Sequence, residues 1–172
     1  MTTSTRPARL DPASLKAVLG HFATGVAAVT GLYSRAPVGL IVDSFTAVSL
    51  APPLISFCVA HTSTTWPRMR SSEGLCVTFL AAEQLDRARR LATSGAAKFH
   101  GVPWTPSPAG LPVIDGGLAW LECEIDAEHP AGDHVIVVAR VHRLAHANTG
   151  ADPLLRYSGN YGRFTDDLED TH

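Results

Sequence analysis

The sequence predicts a mainly β fold, an antiparallel β-barrel, closed or split, with a few short helices attached. Three observations predict it. Six or seven apolar or β-branched runs are bounded by clusters of Gly, Pro, Asn, Asp and Ser, the pattern of strands joined by turns. The runs do not alternate regularly with helical segments, which argues against a doubly wound parallel sheet. No Gly-x-Gly-x-x-Gly occurs, which argues against the dinucleotide site of such a sheet.

Residues 1–10 are polar and read as an N-terminal tail. Asp11-Pro12 is a helix start, with Asp as N-cap and Pro at the first helical position. Leu15, Val18, Leu19 and Phe22 follow at helical spacing and give one apolar face. Thr24-Gly25 ends that helix. Residues 26–33 and 38–43 read as strands of a hairpin around a turn at 34–37.

Two runs of small hydroxyl residues come next. Ser44, Thr46 and Ser49 form the first; Thr62, Ser63, Thr64 and Thr65 form the second. Between them, residues 54–60 read as a buried strand, entered through the chain-breaking Ala51-Pro52-Pro53. One short strand therefore holds two hydroxyl-rich edges together, which suits a ligand rich in hydrogen-bond acceptors. The plainer reading is that these residues fill strand edges and a helix cap. Thr64 or Thr65 is placed to cap a short helix over 65–72, and a helix start of that kind is a natural anion site.

Residues 75–81 read as a strand and 82–93 as a helix, with Leu85, Ala88 and Leu91 inward and the arginines solvated. Residues 94–115 are rich in Gly and Pro and read as a long irregular segment of the functional kind. Residues 118–129 alternate, with Leu121, Cys123 and Ile125 on one face and Glu122, Glu124 and Asp126 on a wet one. A turn at 130–133 leads into 134–147, the most β-branched run of the chain, and residues 151–155 return the chain to a last strand. Residues 11–165 thus make one domain, with an acidic tail over 166–172.

Composition narrows the function. The 172 residues carry a net charge of −2 and are 45% apolar, so no basic surface for nucleic acid stands out. No apolar run approaches the roughly 20 residues of a membrane helix, and the N-terminus lacks the apolar core of a signal peptide. Cys58, Cys76 and Cys123 lie in strand-like segments with no Cys-x-x-Cys, as expected of reduced thiols in a cytoplasmic protein. His142 and His146 stand about 13 Å apart on a strand, too far to share a zinc ion; no metal site is expected.

The segment SFTAVSLAPPLISFCVAHTSTTWP resembles the signature of the flavin reductases, the small partners of two-component flavin monooxygenases. The resemblance runs from Leu15 to about Gly162 through FATGVAAVT (22–30), KFHGVPW (98–104), GLAWLECEI (117–125), Gly132-Asp133-His134 and YSGNYGRF (157–164). It implies a split barrel that forms a homodimer with flavin at the interface. It implies an NAD(P)H-dependent reductase that passes hydride from NADH or NADPH to FMN or FAD and supplies reduced flavin to a partner monooxygenase. Residue by residue, it implies flavin contacts from Asp43, Ser44, Phe45, Thr46, Ala47 and Ser49, and a ring lining from Cys58 and Val59. The phosphate side would be held by Ser63, Thr64 and Thr65, joined by Lys98 and Phe99. His134 and Tyr161 would border the nicotinamide.

No side chain is needed as acid, base or nucleophile, because the cofactor carries the chemistry. Asp43 departs from the pattern, which has an amide there; an ionised carboxylate cannot donate as an amide does. Either Asp43 points away, or flavin preference and potential change. Two other classes stay open: a non-enzymatic flavin- or haem-binding split-barrel protein, and an enzyme of the pyridoxamine-phosphate oxidase type. The Gly-Asp-His and the hydroxyl loop disfavour the latter.

Overall fold

The computed structural model describes residues 9–147 and 150–164. Most of the N-terminal tail and all of the acidic tail lie outside the described residues. The helix α1 (Pro12–Leu19) starts as the sequence predicts: the Asp11 carboxylate accepts hydrogen bonds from the backbone N–H groups of Ala13 and Ser14. Its apolar face, however, is left open among the described residues. Leu15, Val18, Leu19 and Phe22 are all exposed, and no residue of α1 is buried.

Strands β1 (Thr24–Gly25), β2 (Ala27–Tyr33), β3 (Ala36–Val42), β4 (Thr46–Leu50) and β5 (Pro53–Ala60) follow. The β2–β3 turn uses Ser34 and Arg35, both at positive φ, the backbone of a tight two-residue hairpin. Much of the first hydroxyl run is not a loop but the edge strand β4, with a register shift between Ala47 and Ser49. The Ala51–Pro52 bond at the β4–β5 corner is cis.

The helix expected over 65–72 is a single turn, α2 (Trp66–Met69), with Thr65 at its N-cap position but making no side-chain cap hydrogen bond. The Ser63 Oγ accepts from the Trp66 N–H at 3.2 Å instead. Strand β6 (Leu75–Phe79) leads through a 3₁₀ turn at Ala82–Gln84 into α3 (Leu85–Leu91). Two of the arginines read as solvated are tied to the next loop. Arg87 donates to the Asp115 carbonyl, and Arg90 donates to the His100 carbonyl at 2.7 Å. Residues 94–115 are accordingly more ordered than expected. They hold a 3₁₀ turn at Ala96–Phe99 and a hairpin of β7 (Trp104–Pro106) and β8 (Pro112–Ile114). Trp104 packs this hairpin against the core cluster that holds Val102, Ile114 and the α3 residues Ala88 and Leu91.

Strands β9 (Ala119–Ala131) and β10 (His134–His146) form the long central hairpin, turned by Gly132 at φ 64°. The acidic face of β9 is not wet throughout. Glu122 is buried and accepts from the Ser107 hydroxyl, the Ala109 N–H and Arg143. The aromatic end of the chain is not a tail but a hairpin of β11 (Leu154–Tyr157) and β12 (Asn160–Arg163).

Seven strands form one antiparallel sheet in the order β3-β2-β6-β9-β10-β5-β4. The sheet curls on itself, because Val42 of β3 and Val59 of β5 meet in one core with Val29, Phe57, Val77 and Val137. The edges β3 and β4 stay unpaired with each other, which makes the barrel split rather than closed. A second sheet, β1-β11-β12, joins the two ends of the chain beside it.

Candidate functional site

The site is organised on β5. Its residues alternate: Ile55, Phe57 and Val59 are buried in the barrel, while Ser56, Cys58 and Ala60 form a half-buried outer row. Cys58 thus lies on the outer face, while Val59, given with it as a ring lining by the resemblance, turns its side chain into the core. The β4–β5 ladder ends at Thr46↔Ser56, so the Cys58 N–H has no strand partner on that side. The Ser44 hydroxyl takes it, accepting at 2.9 Å, which satisfies a donor that burial would otherwise make costly. Ser44 is therefore a pin that fixes the 43–45 loop on the outer row. Phe45 turns inward and meets Phe79 edge-on, with ring centroids 4.9 Å apart. Thr46 and Ala47 are exposed on β4, and Ser49 is half-buried.

Beyond β5, the 61–65 turn is tied down by His61 N–H donating to the Asp133 carbonyl at 3.0 Å and Ser63 N–H to that of Ala60 at 2.9 Å. Here a cavity of about 290 Å³ is lined by Thr64, Thr65, Arg68, Lys98 and Phe99. Lys98 Nζ donates to the Thr65 hydroxyl at 2.8 Å, and the residue is buried. Burial, and then the charge of Arg68, hold the Lys98 ammonium below the usual lysine range. Among the described residues no carboxylate lines this cavity. Ser63 faces the other side, toward Trp66 and Arg70, and separates from Thr64 and Thr65.

At the opposite end, Asp43 Oδ2 lies 3.3 Å from Arg156 Nε. Arg156 also donates to the Tyr161 hydroxyl at 3.3 Å and lies 5.3 Å from that ring's centre. His134 Nδ1 is 2.6 Å from Asp133 Oδ1, and this bond holds the Asp133 carboxyl below the usual carboxylate range. Asp43, Ser44, Asp133, His134 and Arg156 share an open cleft of about 770 Å³, whose other wall is the apolar face of α1. Tyr161 lines a small recess next to it with Asp43 and Arg156.

The structure therefore brings Asp43, Ser44 and His134 together, and separately Thr64, Thr65, Lys98 and Phe99. The β5 outer row and the turn after it lie between the two groups. Sequence reading missed Arg68 and Arg156. Arg68 lies three residues past the second hydroxyl run, and that proximity was its signal. Arg156 lies outside every motif, and only the three-dimensional pairing with Asp43 reveals it.

A family profile described as the flavin reductase like domain matches residues 19–165. The chain belongs to the flavin reductase-like family. It is 37% identical over 155 residues to the flavin-dependent monooxygenase reductase subunit HsaB of Mycobacterium tuberculosis, covering 90% of this chain and 83% of that one. It is 39% identical over 152 residues to the FMN reductase (NADH) SmoA of Agrobacterium fabrum, covering 88% and 86%. Among solved structures, the NADH:FAD oxidoreductase SgcE6 of Streptomyces globisporus, in complex with NAD and FAD fragments, superposes with a TM-score of 0.86. The identity there is 32%, covering 95% of this chain and all of that one. The split-barrel architecture is that of this family.

The group the family implies is a flavin nucleotide, and the residues fit one. Two cations and two threonine hydroxyls converge on a cavity without a carboxylate, the donor set a phosphate takes. The pinned 43–45 loop lines the wide cleft through Asp43 and Ser44.

Proposed function

We infer that the chain is an NAD(P)H:flavin oxidoreductase that delivers reduced flavin to a partner monooxygenase. One observation carries the reading: a buried Lys98 beside Thr65 and Arg68 in a cavity without a carboxylate, on the turn that follows β5, the strand whose last residue pairs with His134. The family relatives support it by name, as a monooxygenase reductase subunit, an FMN reductase and an NADH:FAD oxidoreductase.

The flavin, when bound, accepts the hydride and carries it away. What the protein contributes is placement. Lys98, Arg68 and the Thr64–Thr65 hydroxyls hold the phosphate. Ser44 fixes the loop against which the ring rests, and the Cys58 row gives a half-buried floor. His134 is oriented by Asp133 through Nδ1, which leaves Nε2 for the amide or a phosphate of the nicotinamide nucleotide. Hydride transfer needs the reacting atoms within about 3–3.5 Å and aligned, a positional demand that such anchors meet.

The protein acts as a homodimer in this reading. α1 presents its apolar side to solvent, and Val48 and Leu50 on the edge strand β4 are exposed too, the kind of surface that a second subunit covers. Light scattering is expected to return twice the chain mass of 18.3 kDa; a monomer at micromolar concentration with flavin present contradicts the dimer. Steady-state oxidation of NADH and NADPH with FMN and with FAD tests the activity. Flavin binding without nicotinamide oxidation identifies a carrier instead.

A further inference from the structure

Among the described residues of the wide cleft, the cation Arg156 is tied to Asp43 of the 43–45 loop. Its Nε meets Asp43 Oδ2 at 3.3 Å, and its Nη1 donates to the Tyr161 hydroxyl at 3.3 Å. The Tyr161 ring lies against the guanidinium, 5.3 Å from ring centre to the carbon between the nitrogens. Three contacts from two elements thus fix a planar group with five donors, of which these bonds use two. Asp43 and Arg156 together line both the wide cleft and the recess beside it. Ser44, the next residue, is bonded to β5, so the carboxylate is held at a set distance from the outer row.

We propose that Asp43 and Arg156 act as one unit, in which the carboxylate aims the guanidinium and Arg156 is the positioning residue that stabilises reduced flavin over oxidised flavin. This rests on the flavin reductase reading. The chemistry is general. The ring of a reduced flavin carries a negative charge when deprotonated, whereas the oxidised ring is neutral. A fixed guanidinium beside the ring binds the reduced form more strongly, and an unpaired carboxylate does the opposite. The pair also explains how a carboxylate is tolerated on a flavin loop: Arg156 neutralises Asp43 and supplies the donors that Asp43 lacks.

The test is a double-mutant cycle of Asp43→Asn and Arg156→Gln, with Arg156→Lys as the charge-conserving control. Wild-type NADH oxidation with FMN is measured first, and its absence defeats the function reading before the pair is tested. Dissociation constants for oxidised FMN come from fluorescence titration, and those for reduced FMN from anaerobic titration. Midpoint potentials of bound flavin give the ratio independently.

Arg156→Gln is expected to weaken reduced FMN about tenfold more than oxidised FMN, which lowers the potential of bound flavin by about 30 mV for two electrons. Asp43→Asn is expected to lower it too, by less, because the guanidinium loses its aim. In the double variant the two shifts should not add, leaving the potential close to that of Arg156→Gln alone, and Arg156→Lys should keep most of the potential. Equal weakening of both redox forms, or strictly additive shifts, overturns the proposal and leaves the pair as a structural tie between β11 and the 43–45 loop. Loss of the folded state in Arg156→Gln but not in Arg156→Lys leaves the lysine variant and Asp43→Asn to decide: unchanged potentials in both overturn it.

Discussion

Replacing Lys98 by methionine tests the phosphate side most sharply, because Lys98 has opposite effects in the empty and the filled protein. The side chain is buried, its one described polar partner is the neutral Thr65 hydroxyl, and the charge that acts on it is the cation Arg68. In the empty protein this ammonium is uncompensated, and burial holds it below the ordinary lysine value of 10.5. A lysine that loses its proton more easily folded than unfolded lowers stability while charged. The loss is relieved as pH rises through the folded value toward 10.5, where the unfolded chain binds the extra proton. A phosphate reverses the sign, since a charge-assisted hydrogen bond contributes about 1.5–3 kcal/mol.

Lys98→Met keeps most of the stem's packing and removes the charge. FMN affinity is expected to fall about tenfold to a hundredfold, the equivalent of that energy, while riboflavin affinity stays within about twofold. Ligand-free stability, followed by urea unfolding, is expected to rise at neutral pH and to lose its increase toward alkaline pH. Equal losses for FMN and riboflavin refute the phosphate role, and lower ligand-free stability refutes the account of an uncompensated charge.

Other outcomes follow from the same geometry. His134→Ala is expected to raise the Michaelis constant for NADH and slow flavin reduction in stopped-flow, with flavin affinity nearly unchanged; a selective loss of flavin affinity moves His134 to the flavin side. Gly39→Ala places a Cβ 2.8 Å from the Val29 carbonyl oxygen and 3.2 Å from the Phe99 ring, so it should strain the β2–β3 pair, push Phe99 and the turn that carries Lys98 outward, and weaken FMN binding. Unaltered FMN affinity there means that the turn does not need its close seat on β3. Burial pushes the Glu122 carboxyl up, but hydrogen bonds from Ser107, Arg143 and Ala109 prevail and hold it below the usual range. Its contribution is therefore present above 4.5 and lost as pH falls through the folded value. Glu122→Gln should cost about 1–3 kcal/mol at neutral pH and flatten the acid limb of the stability profile, both read by urea unfolding.

The strands were legible because period-two alternation and turn residues are local signals. Asp11-Pro12 and Gly132-Asp133 marked their elements for the same reason. What the sequence hid was pairing at a distance. Glu122 reads as one of three alternating acids, and only the β7–β8 hairpin folding over β9 buries it. Arg87 and Arg90 have the spacing of a solvated helix face, yet the carbonyls of the 94–115 segment need donors and take theirs. Among site residues, a hydroxyl run announced Thr64 and Thr65, but strand alternation set Cys58 and Val59 on opposite faces. Asp43 looked like an isolated departure until Arg156, far along the chain, stood beside it.

The three-stranded sheet has a consequence for the folding of the protein. β11 lies against β1, with Arg156 opposite Thr24, and the Ser158 N–H reaches the Gly20 carbonyl at 2.7 Å. Every strand of the seven-stranded sheet precedes β11 and β12 in the chain, so that sheet can form without them. β11 must then close on the first strand, a contact of long sequence separation and the slow kind to make. A chain can therefore hold its barrel while the wall formed by Arg156 and Tyr161 beside the 43–45 loop is still missing. A chain cut short after β10 is expected to keep the seven-stranded sheet and lose that wall of the wide cleft.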